Sequence, residues 1–509
     1  MFIISRTWKK LSRTGLVKRR KKAGLKFFSD NISKQYQNLT PLIIYFSALL
    51  LKLVLYNFIP LSYDEVAYSV TALNIVQNSS WLNIYNSPDL FFFPPLFNWL
   101  SAFFVFIGFE QILAVRTVSM LLSSGIPVII YLMMKENGFS NLRSIFASFL
   151  WTVLPGSIYY SVAGQVETAF LFFILLSAYF IQPHKRNAKN IIISALCFSA
   201  AVWIKETALG FSLVFAVIFL LDKEIRKLMI WGFSAFTFCL PLFIQSFIPN
   251  EYDLFFELNN DLINWGMISF VKPFENIAVL AGLFSSDKLL MTIFAVLVIA
   301  FILISSVIAY KKSSSSFIVR FSIISNLVFI PFFIIFPKKF EYYLLPVLLF
   351  SIILFVISLK EKKEIFILIA LVAVFGSING LKWRSFIRNY YDETLNFITL
   401  VANEKPGATI GTPTPHMAVY VSKKHNLDVK IVPLDFFSGY DPGNCRKKED
   451  RCILQNDYFL SDDEFFAVLF CNKWPVEREK CNIEQMKKVV EKIEKKKKGQ
   501  IFTLYEVKE

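Results

Sequence analysis

The sequence predicts an α-helical polytopic membrane protein of about eleven spans, with interfacial helices in its first outer loop and a small C-terminal extracytoplasmic α/β domain. Three observations carry that expectation. Long runs are apolar all round, where a soluble helix or strand would keep a polar face. Lys and Arg recur in alternate loops, which is the positive-inside pattern. Beyond about residue 381 the chain turns charged and takes on ordinary soluble patterning.

Residues 1–40 form a basic segment with 11 Lys/Arg against one acid, Asp30. Without it the formal charge of +16 falls to +6, so the overall charge gives no reason to expect nucleic acid. The block precedes the first span and is expected to be a cytoplasmic anchor beside anionic lipid rather than a cleaved signal. Residues 41–380 form the membrane domain. Spans are expected near 41–60, 113–134, 144–161, 167–182, 190–204, 208–221, 228–248, 288–309, 317–336, 341–359 and 364–380. With the N-terminus inside, the cytoplasmic loops are 135–143, 184–190, 222–227, 310–316 and 360–364, and each carries two or three Lys/Arg. Between Leu61 and Val115 there is neither Lys nor Arg, and the 249–287 loop has only Lys272 beside six acids. An odd number of spans puts residues 381–509 outside the cell membrane.

In that outer domain "ATIGT" (408–412), "VKIVPL" (429–434), "FFAVLFC" (465–471) and "IFTLYEV" (501–507) have strand patterning. "PHMAVYVSKKH" (415–425) has a proline at a helix start, and "IEQMKKVVEKIEKKKK" (483–498) suggests a basic helix. Cys197 and Cys239 fall in spans as small core residues. Cys445, Cys452, Cys471 and Cys481 fit no common zinc spacing and are disulfide candidates in an oxidising compartment. Pairing Cys445 with Cys452 and Cys471 with Cys481 closes the shortest loops.

The chemistry gathers in the outer loops. "SYDE" (62–65) is a capping box, with Ser62 as N-cap and Glu65 three residues on. The spacing of Val66, Val70, Leu73 and Val76 predicts an amphipathic helix along the interface. "FFFPPLFNWLSAFFVFIGF" (91–109) opens a second, interfacial or partly re-entrant helix at a double proline. Asp64 and Glu65 both suit the positive end of a helix dipole. A second acid at a bilayer edge nevertheless calls for a partner or a task. Glu167 in "SVAGQVETAF" lies on the same side, as do Arg116, Lys205 in "WIKETAL", and Lys338 and Lys339 in "FPKKFEYYLLP". Each cation alone suits interface snorkelling, and together they ring the acids. Lys52, inside the first span, is expected to snorkel.

"YDEVAY", "FFFPPLFNWL", "FIGFEQILAVRTVSML", "LPGSIYYSVAGQVETAF", "AVWIKETAL" and "KKFEYYLLPVL", in that order, resemble the GT-C membrane glycosyltransferases. The similar branch holds the protein O-mannosyltransferases, the lipid A aminoarabinose transferases and the RgtA/B/C/D-like sugar transferases. The resemblance spans about residues 40–360. It implies a polyprenyl-phosphate sugar donor and a protein, lipid or glycan acceptor at the outer face. It also implies Asp64 as catalytic base, with Glu65 and Glu167 as further site acids. Arg116, Lys205, Lys338, Lys339, Tyr342 and Tyr343 would hold the donor phosphate. The chain departs from many members in having Phe93 before the double proline and Glu, not Asp, as second acid.

The residues suit that chemistry in their own right. A carboxylate can take the acceptor hydroxyl proton, and Lys, Arg or a divalent metal can stabilise the departing phosphate. Direct displacement inverts the anomeric centre. A transporter or flippase of lipid-linked sugars would show internal repeats and mid-membrane charges. A non-catalytic scaffold would need no rim of acids and bases.

Overall fold

The computed structural model describes residues 39–59, 61–77, 94–246, 274, 277, 288–335, 341–359, 390–412, 415–433, 457–462, 493–498 and 502–507. Helix α1 (Leu39–Phe58) is followed by α2 (Tyr63–Gln77) and α3 (Pro95–Phe106), then by the long α4 (Gln111–Glu136). Next come α5 (Asn141–Val153), α6 (Pro155–Val162), α7 (Val166–Phe180), α8 (Ala188–Val202), α9 (Gly210–Leu221) and α10 (Ile225–Ser246). The membrane part continues with α11 (Lys288–Ser313), α12 (Phe317–Ile335) and α13 (Leu345–Ser358).

Among the described residues, four helical stretches are long and apolar enough to cross a bilayer: Leu39–Phe58, Gln111–Glu136, Ile225–Leu242 and Thr292–Ser313. The expected single span at 144–161 is two helices, α5 and α6, bent by 60°. Pro155 causes the break: it brings no N–H to the ladder and disfavours the helical conformation of Leu154, which is extended at ψ 131°. The other expected spans are apolar helices shorter than a full crossing, and 364–380 lies outside the described residues. Lys52 does not snorkel. It is 2% exposed and donates to Ser123 Oγ at 2.7 Å and Ser124 Oγ at 3.2 Å, tying α1 to α4.

Phenylalanine fills the membrane core. Phe211 of α9 meets Phe329 of α12 with ring centroids 4.4 Å apart, and Phe215 meets Trp231 of α10 at 4.9 Å. Gly210 makes room there, since a Cβ would stand 3.2 Å from Phe329 Cζ.

At one end of the bundle the basic loops interlock. Glu136 pairs with Lys185 at 2.7 Å, and Asn137 donates to Gln182 Oε1 at 2.7 Å. Arg186 binds Glu224 at 2.6 Å and Asp222 at 2.7 Å, and Asp222 also pairs with Arg320. Ser316 and Asn137 join at 3.1 Å, while Arg143 and Lys312 both donate to the carbonyl of Leu359. Loops grouped on one side by their charge thus share one face.

After the membrane part, α14 (Tyr390–Glu404), β1 (Ala408–Thr412), α15 (Pro415–Lys424), β2 (Val429–Pro433), β3 (Tyr458–Asp462), β4 (Ile493–Lys498) and β5 (Phe502–Val507) build an α/β unit. Its sheet order is β2-β1-β3-β5-β4, with β1 parallel to β2 and β3, and β5 antiparallel to β3 and β4. Strands β1, β2 and β5 and helix α15 match the sequence reading, whereas β3 escaped it. The expected basic helix at 483–498 is corrected over its last residues: Ile493–Lys498 is a strand, paired with β5 from Ile493↔Val507 to Lys498↔Thr503. Tertiary pairing overrides helix propensity here, and a lysine-rich strand at the end of a sheet discourages further pairing. The 465–471 strand and Cys445, Cys452, Cys471 and Cys481 lie outside the described residues, while Cys197 and Cys239 are buried free thiols.

The Arg186 guanidinium ties the 184–190 loop to the 222–227 loop, so Arg186→Ala is expected to lower stability by about 3 kcal/mol, the lower end for breaking a buried ion pair. Thermal unfolding in detergent measures this. An unchanged melting temperature would mean that the loops are held by helix packing alone.

Candidate functional site

At the opposite end of the bundle lie the end of α1 and the start of α2. The capping box forms as the sequence predicts: Glu65 N donates to Ser62 Oγ at 3.2 Å, and Ser62 N donates to Glu65 Oε2 at 3.1 Å. The helix does not lie open on an interface. Residues 65–69, Thr71, Ala72 and Ile75 are buried, so α2 is packed on more than one side.

Arg116, one turn into α4, points at this corner. Its Nε is bonded to Glu65 Oε1, and Nη2 reaches Glu65 Oε2 at 3.1 Å. Nη1 donates to the carbonyl of Tyr56 at 2.8 Å, Nη2 also to that of Ile59 at 3.1 Å, and the guanidinium stacks 4.8 Å from the Tyr56 ring. Arg116 therefore satisfies carbonyls at the end of α1 and holds Glu65 in one act. Gly164, with φ +63°, closes the corner: a Cβ there would stand 2.7 Å from Val115 Cγ1 and 3.3 Å from Glu65 Cγ. Only glycine takes that backbone conformation without strain.

Asp64 turns the other way. It is half-buried, hydrogen-bonds Gln165 and lies within the fields of Glu167 and Lys205. Burial first, and the Glu167 charge second, push its carboxyl up to about 6, against the opposing pull of Lys205 and Gln165. Gln165 Nε2 also donates to Ser62 Oγ at 2.9 Å, so one side chain orders both the cap and the acid. Glu167 opens α7 and is paired with Lys205 Nζ at 2.5 Å. Both are buried, and Glu167 Oε2 has no hydrogen-bond partner. Lys205 Nζ also sits 4.9 Å from the Tyr343 ring centre.

Asp64, Glu167, Lys205 and Tyr343 thus share one site. Glu65 and Arg116 form a buried pair behind it. Lys338, Lys339 and the side chain of Tyr342 lie outside the described residues. No group of three or more His, Cys, Asp or Glu among the described residues is placed to hold a metal ion. The sequence reading missed Gln165, although it lies in the quoted "AGQVE". It also missed Tyr68, one turn after Asp64. The Tyr68 hydroxyl is pushed well above the ordinary tyrosine value by burial and by Asp64 and Glu167, so it remains a donor, and its ring packs edge-on to Phe97 at 5.3 Å.

Residues 93–248 match the family model described as dolichyl-phosphate-mannose-protein mannosyltransferase. The chain is similar in structure to ArnT from Cupriavidus metallidurans bound to undecaprenyl phosphate, at 15% identity and a TM-score of 0.52, over 75% of this chain and 74% of that one. It is also similar to the Archaeoglobus fulgidus oligosaccharyltransferase in the apo form, at 11% identity and a TM-score of 0.53, over 86% of this chain and 71% of that one. No curated protein sequence matches it. The chain is a multi-pass membrane protein with the GT-C fold. Within that class, it is the stretch from α3 to α10 that carries the mannosyltransferase-family match.

Glu65→Gln keeps the capping oxygen but leaves Arg116 buried without its counter-charge. It is expected to cost about 3–5 kcal/mol, the range for an orphaned buried ion. Thermal unfolding of the variant beside wild type measures this, and equal melting would show that the pair is dispensable.

Proposed function

We propose that this protein transfers a sugar from a polyprenyl-phosphate donor to an acceptor hydroxyl at the extracytoplasmic face of the membrane. The observation that carries this reading is Asp64 held half-buried beside the Glu167–Lys205 pair, an acid and a cation on one rim. The mannosyltransferase-family segment supports it, and so does the ArnT structure, which was solved with undecaprenyl phosphate.

In the proposed reaction the acceptor oxygen attacks the anomeric carbon as Asp64 takes its proton. The anomeric carbon–oxygen bond to phosphate breaks, and the phosphate leaves with the bonding pair, so configuration inverts. Lys205, kept in place by Glu167, meets the charge growing on the phosphate, with Tyr343 beside it. Lys338, Lys339 and Tyr342 are assigned to the same donor end. Glu65 and Arg116 are assigned to holding Asp64 in place: all three guanidinium nitrogens of Arg116 already have partners inside the protein.

Asp64→Asn keeps shape and removes the proton acceptor. Turnover of a synthetic short-chain prenyl-phosphate sugar is expected to fall roughly 10²–10⁴-fold, the usual range for a general base. A base must be ionised, so wild-type activity is expected to rise with pH through about 6, where the Asp64 carboxyl loses its proton. The residual activity of the variant should lack that limb. A folded Asp64→Asn protein with normal turnover would remove the mechanism.

The orientation is proposed with the N-terminus cytoplasmic and residues 381–509 outside. Single cysteines placed at exposed Lys430 and Lys424 should react with an impermeant maleimide on intact cells, and one placed in the 184–190 loop should not. The reverse pattern would put the site on the wrong face for this donor.

A further inference from the structure

The α/β unit does not merely hang beside the membrane part. Met417, Ala418, Tyr420 and Val421 of α15 share one buried apolar cluster with Val66 of α2 and Ile112 of α4. Val66 follows Glu65 directly, and Ile112 lies one turn before Arg116. A polar link runs beside the apolar one. Glu110 Oε2 caps α4 by accepting from Leu113 N at 2.9 Å. Its Oε1 accepts from the Tyr420 hydroxyl at 3.3 Å, and Lys424 Nζ donates to that hydroxyl at 2.9 Å. Tyr420 is 2% exposed, and its side chain is where the apolar and polar links meet.

We propose that Tyr420 is a positioning residue, through which the outer domain fixes the start of α4 and thereby the Arg116–Glu65 corner that sets Asp64. The inference rests on the proposed transferase reading for its consequence in turnover, but not for the coupling itself. Tyr420 touches neither Asp64 nor the groups that face it, which are Tyr68 of α2, Glu167 of α7, Lys205 of the α8–α9 loop and Gln165 before α7. Its effect passes through Glu110, then through α4 to Arg116. Freeing that end of α4 loosens the hold on Glu65, admits water to Asp64 and lowers the pH at which its carboxyl ionises.

The test uses the full chain in detergent and Tyr420→Phe, which keeps the ring in the apolar cluster and removes only the hydroxyl. Hydrogen exchange measured by mass spectrometry is expected to speed up over residues 61–70 and 110–116 and to stay unchanged over 166–180. Turnover is expected to fall roughly two- to thirty-fold, the span that coupling through packed networks covers, with donor KM unchanged. The acid limb of the pH profile should move below about 6. Tyr391→Phe is the control, because that hydroxyl bonds His425 at 2.7 Å and not Glu110; it should leave both readouts as in wild type. Unchanged exchange at 61–70 in Tyr420→Phe would overturn the inference. So would faster exchange across the whole chain, or an unmoved acid limb beside normal turnover. Should wild type transfer no sugar from any prenyl-phosphate donor, the transferase reading fails, and the exchange pattern alone still decides whether Tyr420 governs this corner.

Discussion

The end of the bundle that bears Asp64 depends on the buried pair of Arg116 and Glu65. A guanidinium and a carboxylate taken out of water each lose several kcal/mol of hydration, and only close, well-satisfied contacts return it. Here the return is nearly complete. Arg116 spends its donors on both Glu65 oxygens and on the carbonyls of Tyr56 and Ile59. Glu65 in turn accepts from Ser62 N. Three elements, the end of α1, the start of α2 and the second turn of α4, are thereby held at one point. Gly164 lets the loop before α7 close over it, because no other side chain clears Val115 and Glu65 at φ +63°.

That corner explains why two adjacent carboxylates have different fates. Side chains on successive helical residues point about 100° apart, so Glu65 turns into the corner while Asp64 turns toward Gln165, Glu167 and Lys205. Glu65 has its own cation, and Glu167 has Lys205. Asp64 has neutral Gln165 as its hydrogen-bond partner, and burial makes its ionised form harder to keep. On the proposed reading, that is the property a base needs near neutral pH: it takes a proton readily and is still ionised when the acceptor arrives.

The two ends of the bundle handle charge differently. At the basic end, Arg186, Asp222, Arg320 and Glu136 are shared among neighbouring loops, and the result is an interlock. At the other end the ionic groups converge on one rim, and Glu167 keeps an oxygen without a partner. The α/β unit adds to that end. It covers the back of α2 through Val66 and the start of α4 through Ile112, so the helix bearing Asp64 is gripped by both the membrane part and the α/β unit.

The sequence by itself determined the membrane class, the grouping of basic loops on one face, the capping box at Ser62–Glu65 and three of the five strands of the C-terminal sheet. These follow from local rules: apolar length, charge placement, and cap and strand patterns that act within a few residues. It also pointed to Asp64, Glu167 and Lys205, since acids and cations at helix ends are costly without partners. Only the tertiary structure decided which charge meets which. Arg116 and Glu65 are separated by 51 residues, and so their pairing leaves no mark in spacing. Lys52 could not be told from a snorkelling lysine until Ser123 and Ser124 were found facing it. The lysine run at 493–498 follows helical patterning on its own and becomes a strand because β5 offers backbone partners. The break at Leu154–Pro155 was visible as a proline, but an apolar run of span length concealed its consequence. Each of these outcomes depends on a neighbour distant in sequence or on how the backbone bends, and residue order alone records neither.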